Sequence, residues 1–225
     1  MTGIVLQARL DSARLPRKAL LPLDGKPLVF RVMEALNNIP ADIRIIACPS
    51  DSFSVFKPLA EEAGFSIFAG PKEDVLERYV NVIRHFSITR VIRATGDNPF
   101  VFSDAASMLN EEAVNLNADY AGYSGIPCGA GVESVSASAL LRAADEANLP
   151  YEKEHVCPYL YNHPEKFHLH RPLAPVNWQA PELRITVDTQ EDYEKTKILY
   201  NALKDTPNRY LGEVIIKKQM EIFSN

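Results

Sequence analysis

The stretch that decides the order of elements lies near the start of the chain, where residues 4–48 read IVLQARLDSARLPRKALLPLDGKPLVFRVMEALNNIPADIRIIAC. The apolar runs 4–8 and 43–48 have the length and composition of buried strands. Between them, residues 27–38 carry apolar side chains at helical spacing. A strand, a helix and a second strand in this order predict two parallel strands joined across one face of a sheet.

The same alternation continues along the first half of the chain. It predicts further strands at 65–69 and 90–94 and helices at 52–63, 73–85 and 103–113. Near the end, residues 183–187 are predicted as a strand that delivers Asp188 to its carboxyl end. Thr189 and Asp192 then form a capping-box start for a long helix through about residue 203. We therefore expect an α/β fold with a mostly parallel sheet flanked by helices.

Composition limits the class of protein. The chain has 225 residues, of which 46% are hydrophobic and 24% charged, as is usual for a globular protein. We expect one domain over residues 1–225, with a less regular region at about 122–181, where proline and glycine are frequent. The net charge of -5 argues against nucleic-acid binding, which requires a surplus of Lys and Arg on one face.

The cysteines and the apolar runs indicate a cytoplasmic location without a membrane anchor. Cys48, Cys128 and Cys157 are far apart, so no CxxC pair is present, and reduced thiols are expected. Gln7 and Arg9 interrupt the segment that a signal peptide would need, and no run of about 18 apolar residues occurs.

A basic loop follows the first predicted strand and reads QARLDSARLPRK over residues 7–18. Arg offers a planar fork to phosphate oxygens and Lys a point charge, so Arg9, Arg14 and Lys18 together can neutralise a triphosphate. A solvated basic loop is the alternative interpretation. The position after the first strand of an α/β sheet favours the phosphate interpretation, and no GxxxxGK[ST] or GxGxxG pattern is present.

Two aspartates stand at predicted strand ends. Asp97 follows Gly96 before Asn98-Pro99, and Asp188 precedes Thr189. A single aspartate in such a position is commonly a helix cap. Two of them at the ends of different strands favour a magnesium site, because Mg²⁺ commonly uses one or two carboxylates plus substrate phosphates.

Together these segments resemble a known family over nearly the full length of the chain. The chain is similar to the cytidylyltransferases that activate acidic sugars, the 3-deoxy-manno-octulosonate and acylneuraminate enzymes, and especially to spore-coat polysaccharide biosynthesis proteins of the SpsF type. The matching segments are residues 7–18, 24–27, 70–79, 96–99, 154–156 and 186–189.

The resemblance implies a glycosyltransferase-A-like (nucleotide-diphospho-sugar transferase) fold and a transfer of CMP from CTP to a small acidic acceptor in surface polysaccharide biosynthesis. It also implies a homodimer, with the region at about 122–181 as the acceptor and dimerisation region. The implied nucleotide-binding residues are Gln7, Ala8, Arg9, Arg14, Lys18 and Gly70. The implied catalytic residues are Arg9, Arg14, Lys18, Asp97 and Asp188, with Mg²⁺ on Asp97 and Asp188. Glu133 and His155, the latter at the start of a predicted helix, are implied on the acceptor side.

The chain departs from the family pattern in three places. Arg17 stands where relatives usually have Gly, and Ala13 stands where they often have Ser or Thr, which suggests a stiffer loop or an additional phosphate contact. Residues 127–131 (PCGAG) stand where SpsF-like relatives often have an Asp-Gly-Leu-Asp run. Two alternatives therefore stay open: a catalytically weak nucleotide-binding or scaffold protein of a polysaccharide pathway, and a nucleotidyltransferase that uses another nucleoside triphosphate.

Overall fold

The apolar runs of the first half form neighbouring strands of one sheet in the computed structural model, which describes residues 1–223. The seven strands of this sheet lie in the order β5-β4-β1-β6-β8-β7-β9. They are β1 (Thr2–Gln7), β4 (Ile43–Pro49), β5 (Ser66–Gly70), β6 (Arg90–Thr95), β7 (Tyr120–Ala121), β8 (Glu133–Ser136) and β9 (Leu169–His170), and β2 (Pro22–Leu23) and β3 (Lys26–Pro27) form a separate hairpin.

The sheet is parallel except at one strand. β5, β4, β1 and β6 run in the same direction, β8 is antiparallel to its neighbours β6 and β7, and β9 is parallel to β7. Leu6 in the central strand β1 pairs with Ile46 on one side and Ala94 on the other. The mostly parallel sheet predicted from the alternation of elements is confirmed.

Helices cover both faces of the sheet. They are α1 (Leu28–Leu36), α2 (Phe53–Ala63), α3 (Val75–Phe86), α4 (Ser103–Asn115), α5 (Ala137–Glu146), α6 (Pro150–His155), α7 (Pro158–Asn162), α8 (Gln190–Leu203) and α9 (Gly212–Phe223), with short 3₁₀ helices at Lys18–Leu20, Ser50–Ser52 and Val176–Trp178. No helix in residues 1–223 has both the length and the apolar character needed to cross a membrane.

The side chains of β1 alternate between the two faces of the sheet, so β1 contributes to a hydrophobic cluster on each face. Ile4 and Leu6 pack with α1, α2 and α4 on one face, whereas Val5 packs with α3, α5 and α7 on the other. Successive side chains of a strand point to opposite faces, so a fully apolar strand requires cover on both sides. A third cluster joins α8 and α9 to the residues that lead into α4.

The prediction of a strand at residues 183–187 is wrong, because this segment is extended but is not part of a sheet. Within residues 1–223 this segment has no partner strand and makes only an isolated bridge between Arg184 and Cys128. It is extended because it packs on the 127–131 loop: Ile185 N donates to the Cys128 carbonyl at 2.9 Å. Gly129 has a φ of +96°, and a Cβ there would lie 2.6 Å from the backbone nitrogen of Thr186. The unusual 127–131 segment therefore supports the chain that leads to Asp188.

Local sequence signals account for three of the element boundaries. Asp24 and Gly25 form the β2–β3 turn with φ values of 49° and 78°, as a tight hairpin of this kind requires. Gly64 ends α2 with a φ of 77°. The capping box of Thr189 and Asp192 begins α8, which ends at Leu203.

The conformation of Arg17 is one that favours glycine, the residue that the family resemblance implies at this position. Its φ of 55° and ψ of 29° place it in the left-handed region, where a side chain costs about 1–2 kcal/mol. Its exposed side chain does not contribute to the cleft described below.

Arg17→Gly should therefore keep or raise stability, by up to about 1 kcal/mol, because relief of the strain exceeds the added chain entropy of Gly. Arg17→Ala is the matched control, since it removes the same charge but keeps the strain. Urea denaturation of both variants measures the difference. An Arg17→Gly protein that is less stable than Arg17→Ala would contradict this interpretation.

Candidate active site

A cleft of about 330 Å³ opens at the carboxyl ends of β1 and β6. This is where ligands bind in open α/β sheets, because the loops to the following helices converge there. Most of the residues expected at the site line this cleft, namely Gln7, Ala8, Arg9, Arg14, Lys18, Asp97, His155 and Asp188, together with Ser12, Ala13, Ala19, Val75, Arg78, Arg93, Thr95, Gly96 and Glu154. Gly70 and Glu133 lie outside it.

Lys18 connects the two candidate carboxylates. Its Nζ donates to Asp97 Oδ2 at 2.7 Å, to Asp188 Oδ1 at 2.8 Å and to the Val187 carbonyl at 2.8 Å. The side chain is only 15% exposed. All three ammonium hydrogens are thus used within the protein, and Lys18 is directed to the carboxylates in this structure.

Asp188 is surrounded by positive charge. Arg184 donates to its Oδ2 at 2.5 Å, and Arg14 lies 3.0 Å from its Oδ1. Burial alone would raise the pKa of the Asp188 carboxyl, but Lys18, Arg184 and Arg14 together hold that pKa below its ordinary value. Asp188 is therefore a carboxylate at neutral pH.

The second carboxylate is oriented by its own strand. Thr95, the last residue of β6, donates from its hydroxyl to Asp97 Oδ1 at 2.7 Å. Backbone contacts hold the loop: Gly96 N donates to the Gln7 carbonyl, and Val187 N to the Asp97 carbonyl, both at 2.9 Å. A Cβ on Gly96 would lie 3.0 Å from that of Ala8, so the close approach of the two strand ends favours glycine.

The carboxylates fit a divalent cation in their chemistry and their convergence. Asp97 and Asp188 both reach the same Nζ, so one cation between them can contact both. Mg²⁺ commonly takes one or two carboxylates and completes its shell with water and substrate phosphates. Within residues 1–223, no cluster of three or more His, Cys, Asp or Glu side chains is arranged to hold a metal ion.

The two loop arginines are much more accessible than Lys18. Arg14 is 66% exposed, and Arg9 is 50% exposed with a weak pair to Glu154 at 3.5 Å. The Arg9 pair is exposed on both sides and contributes about 1 kcal/mol or less, so this guanidinium can turn to a bound anion at small cost. Arg14 lines the same cleft, but its partner Asp188 is only 17% exposed. Gln7 lines the same cleft and has a buried Oε1 without a partner among the described residues.

Arg78 is a cleft residue that the sequence interpretation missed. It is only 2% exposed; its Nη1 donates to the Pro71 carbonyl at 2.8 Å, and its Nε has no partner among the described residues. Gly70 packs against it, since a Cβ there would lie 2.9 Å from Arg78 Cγ. The available signal was a cation on the apolar face of a helix, between the buried Val75 and Tyr79.

Glu133 belongs to a neighbouring cavity of about 250 Å³. Its carboxylate forms an ion pair with Arg93 and accepts a hydrogen bond from the Tyr120 hydroxyl at 2.8 Å. Burial would lower the pKa of the Arg93 guanidinium, but the charge of Glu133 holds it above its ordinary value. Arg93 and Thr95 line both cavities, so they form the boundary between them.

His155 lies in the first cleft, at the end of α6 and not at the start of a helix as the sequence suggested. Its ring is 4.5 Å from that of Tyr151. The following residue, Val156, is buried with a φ of 73°, and Cys157 N donates to the His155 carbonyl at 2.9 Å. A positive φ is uncommon for a β-branched residue and is often found near functional sites. His155 and Glu133 thus lie in different cavities.

A family model described as cytidylyltransferase matches residues 3–225. The chain belongs to the cytidylyltransferase family. The enzyme is therefore a nucleotidyltransferase, and the resemblance seen in the sequence is confirmed.

Individual relatives agree with this assignment. The cytidylyltransferase is 34% identical over 218 residues to the spore coat polysaccharide biosynthesis protein SpsF of Bacillus subtilis, covering 94% of this chain and 91% of the relative. A solved cytidylyltransferase from Leptospira borgpetersenii has a TM-score of 0.88 at 24% identity, over 98% of this chain and 94% of that one. A CMP:2-keto-3-deoxy-manno-octonic acid synthetase solved with CTP has a TM-score of 0.70 at 17% identity, over 89% and 98%. These two structures show that the fold is shared.

Removal of a site carboxylate should destabilise the free cytidylyltransferase. Mutual repulsion of two aspartates would predict the opposite, but Lys18 already lies between them. Asp188→Asn would leave Lys18, Arg14 and Arg184 with less negative charge, and a lost charged hydrogen bond costs about 1–3 kcal/mol. Thermal melting without nucleotide or metal tests this, and an unchanged or higher melting temperature would contradict it.

Proposed function

We propose that this cytidylyltransferase transfers CMP from CTP to a small acidic acceptor, a sugar acid or similar compound, with release of pyrophosphate and with Mg²⁺ as cofactor. We place the reaction in surface polysaccharide biosynthesis, in keeping with the relationship to SpsF. The observation that carries the proposal is the cleft itself. Accessible arginines and a converging pair of carboxylates face the same space at the carboxyl ends of β1 and β6.

The proposed reaction is a single in-line displacement. An acceptor oxygen loses its proton to water and forms a bond to the α-phosphorus of CTP, while the bond from that phosphorus to the bridging oxygen of the β-phosphate breaks. The bond electrons leave with pyrophosphate. The chemistry needs no covalent intermediate on the enzyme, so the protein contributes position and electrostatic stabilisation.

Each cation of the cleft has a proposed role in binding the triphosphate. Arg9 and Arg14 turn from Glu154 and Asp188 to the phosphates, where a planar guanidinium forms paired hydrogen bonds. Lys18 and the buried Arg78 supply positive charge deeper in the cleft. Gln7 and Ala8 border the nucleoside. Gly70 contributes by leaving room for the Arg78 side chain that packs against it.

The metal is proposed to be held by Asp97 and Asp188. When bound, Mg²⁺ would offset the charge that builds on the phosphoryl oxygens. Thr95 orients Asp97 and Arg184 orients Asp188, each through a direct hydrogen bond. These residues leave little freedom for either carboxylate to turn away.

The acceptor is proposed to lie between the two cavities. Glu133 borders one and His155 the other, and Arg93 and Thr95 border both, so an acceptor that contacts Glu133 and His155 must pass Arg93. Arg93 is neutralised by Glu133, whereas Arg78 takes part in no ion pair within residues 1–223. An acidic group of a ligand would find its positive partner at Arg78 or at the loop arginines.

Four features of organisation belong to the same proposal. The chain forms one domain over residues 1–225, and two copies form a homodimer through the 122–181 region. The enzyme acts in the cytoplasm, in keeping with its three free cysteines, two of them buried. Its partners are CTP and the acceptor, without nucleic acid or membrane.

Pyrophosphate release tests the proposed function directly. The protein is incubated with Mg²⁺ and each of CTP, ATP, GTP and UTP, in turn with 3-deoxy-manno-octulosonate, N-acetylneuraminate and neutral hexoses as controls. We expect release with CTP and a sugar acid. Nucleotide binding without turnover on any acceptor would favour the binding-protein alternative. Turnover with another nucleotide would show that the base of the substrate is not cytosine.

Arg14→Ala should weaken CTP binding by roughly 10- to 100-fold, because one charge-assisted phosphate contact contributes about 1.5–3 kcal/mol. The fold should not change, since the side chain is 66% exposed. Arg17→Ala is the matched control from the same loop and should have little effect, because Arg17 does not line the cleft. Calorimetric titration with CTP checks both, and a larger loss for Arg17→Ala would mean that the wrong cation was assigned.

Asp97→Asn and Asp188→Asn should each abolish most turnover, and the double variant should be little worse than either single one. The two carboxylates act as a unit, and such groups are strongly non-additive. Asp145→Asn, in an exposed acid of α5, should stay active. Steady-state kinetics with Mg²⁺ and with excess chelator provide the measurement. Full activity of Asp97→Asn, or of the wild type in chelator, would overturn the metal assignment.

A further inference from the structure

The position between the two carboxylates is filled by the protein's own cation. Lys18 Nζ lies 2.7–2.8 Å from three oxygens, one each from Asp97, Asp188 and the Val187 carbonyl. Carboxylate and carbonyl oxygens are the ligands that hard divalent cations take in proteins. The ammonium of lysine is itself a compact point charge. Lys18 therefore occupies the place where a small cation between these oxygens would lie.

Two positive charges cannot share this place at small cost. The Coulomb energy of like charges a few ångströms apart is several kcal/mol in a partly buried site. The Lys18 side chain is 15% exposed, so water screens the interaction only in part. Arg184 and Arg14 also contact Asp188, which gives three cations for two carboxylates. A metal ion entering the free protein would meet a surplus of positive charge.

We propose that Lys18 is an internal competitor for the metal. In the free enzyme its ammonium holds Asp97 and Asp188 together and keeps divalent cations weakly bound. A triphosphate in the cleft gives Lys18 another anion to pair with, since Lys18 lines the cleft and its stem is flexible. The carboxylates are then released, and the metal enters with the nucleotide rather than before it. This inference rests on the proposed function.

Metal binding without nucleotide tests the competition. The affinity of the full-length protein for Mn²⁺ alone is measured from the electron paramagnetic resonance signal of the free ion. Lys18→Gln, which keeps N–H donors without the charge, and Lys18→Met should bind Mn²⁺ at least about tenfold more tightly than the wild type, because a like charge is removed from the site. Lys195→Met is the control, since it removes the same charge from an exposed helical pair with Glu191.

The other results of the Mn²⁺ binding experiment also decide whether Lys18 competes with the metal. Equal Mn²⁺ affinities in the wild type and both Lys18 variants would overturn the inference, as would tight Mn²⁺ binding by the wild type without nucleotide. If Lys18→Met is folded only when Mn²⁺ is present, as thermal melting would show, the metal replaces the ammonium and the inference is supported.

Wild-type turnover separates this inference from the proposed function. Metal-dependent transfer from CTP together with equal Mn²⁺ affinities would overturn the competition alone. Tighter Mn²⁺ binding by the Lys18 variants together with turnover in excess chelator would overturn the proposed cofactor and leave the competition standing.

Discussion

The Lys18 ammonium joins three parts of the chain that are far apart in sequence. Asp97 is 79 positions away and Asp188 is 170 positions away, yet both accept a hydrogen bond from the same nitrogen. The basic loop, the end of β6 and the start of α8 meet at this point. A partly buried ammonium without these partners would be costly, so the geometry of the cleft and the closure of the loop depend on the same three contacts.

Close backbone approach makes this meeting possible. Gly96 brings the end of β6 against Ala8, and Gly129 brings the 127–131 loop against Thr186. A Cβ added at Gly96 would lie 3.0 Å from the Cβ of Ala8. A Cβ added at Gly129 would lie 2.6 Å from the backbone nitrogen of Thr186. Any side chain at Gly129 would push the segment before Asp188 outward. A change in this loop therefore acts on the carboxylate pair without contact with substrate.

The sequence predicted those parts of the fold that depend on local pattern. Apolar runs of strand length and helical periodicity identified β1, β4, β5, β6 and the helices between them, because each element buries its own apolar face. The extended segment before Asp188 was mistaken for a strand because its alternation, with Ile185 and Val187 buried, satisfies the same pattern without a partner strand. Family motifs located the cleft, but not Arg78 or the contacts of Lys18. The contacts of Lys18 depend on long-range packing, which no local pattern records, and the only local sign of Arg78 was a cation on the apolar face of a helix.

The cations of the cleft differ in how firmly the protein holds them. This difference sets the sequence in which a bound anion contacts them. Arg9 and Arg14 are half or more exposed, and Arg9 pairs only with an exposed Glu154, so an arriving anion reaches these two side chains before it reaches Lys18. Lys18 and Arg184 are held to carboxylates by short charged hydrogen bonds. An anion must therefore meet the arginines of the loop first and can draw on Lys18 only after it has entered the cleft. The carboxylates become free of Lys18 only when an anion is already in place, so the same contacts that stabilise the empty site make its rearrangement conditional on the nucleotide.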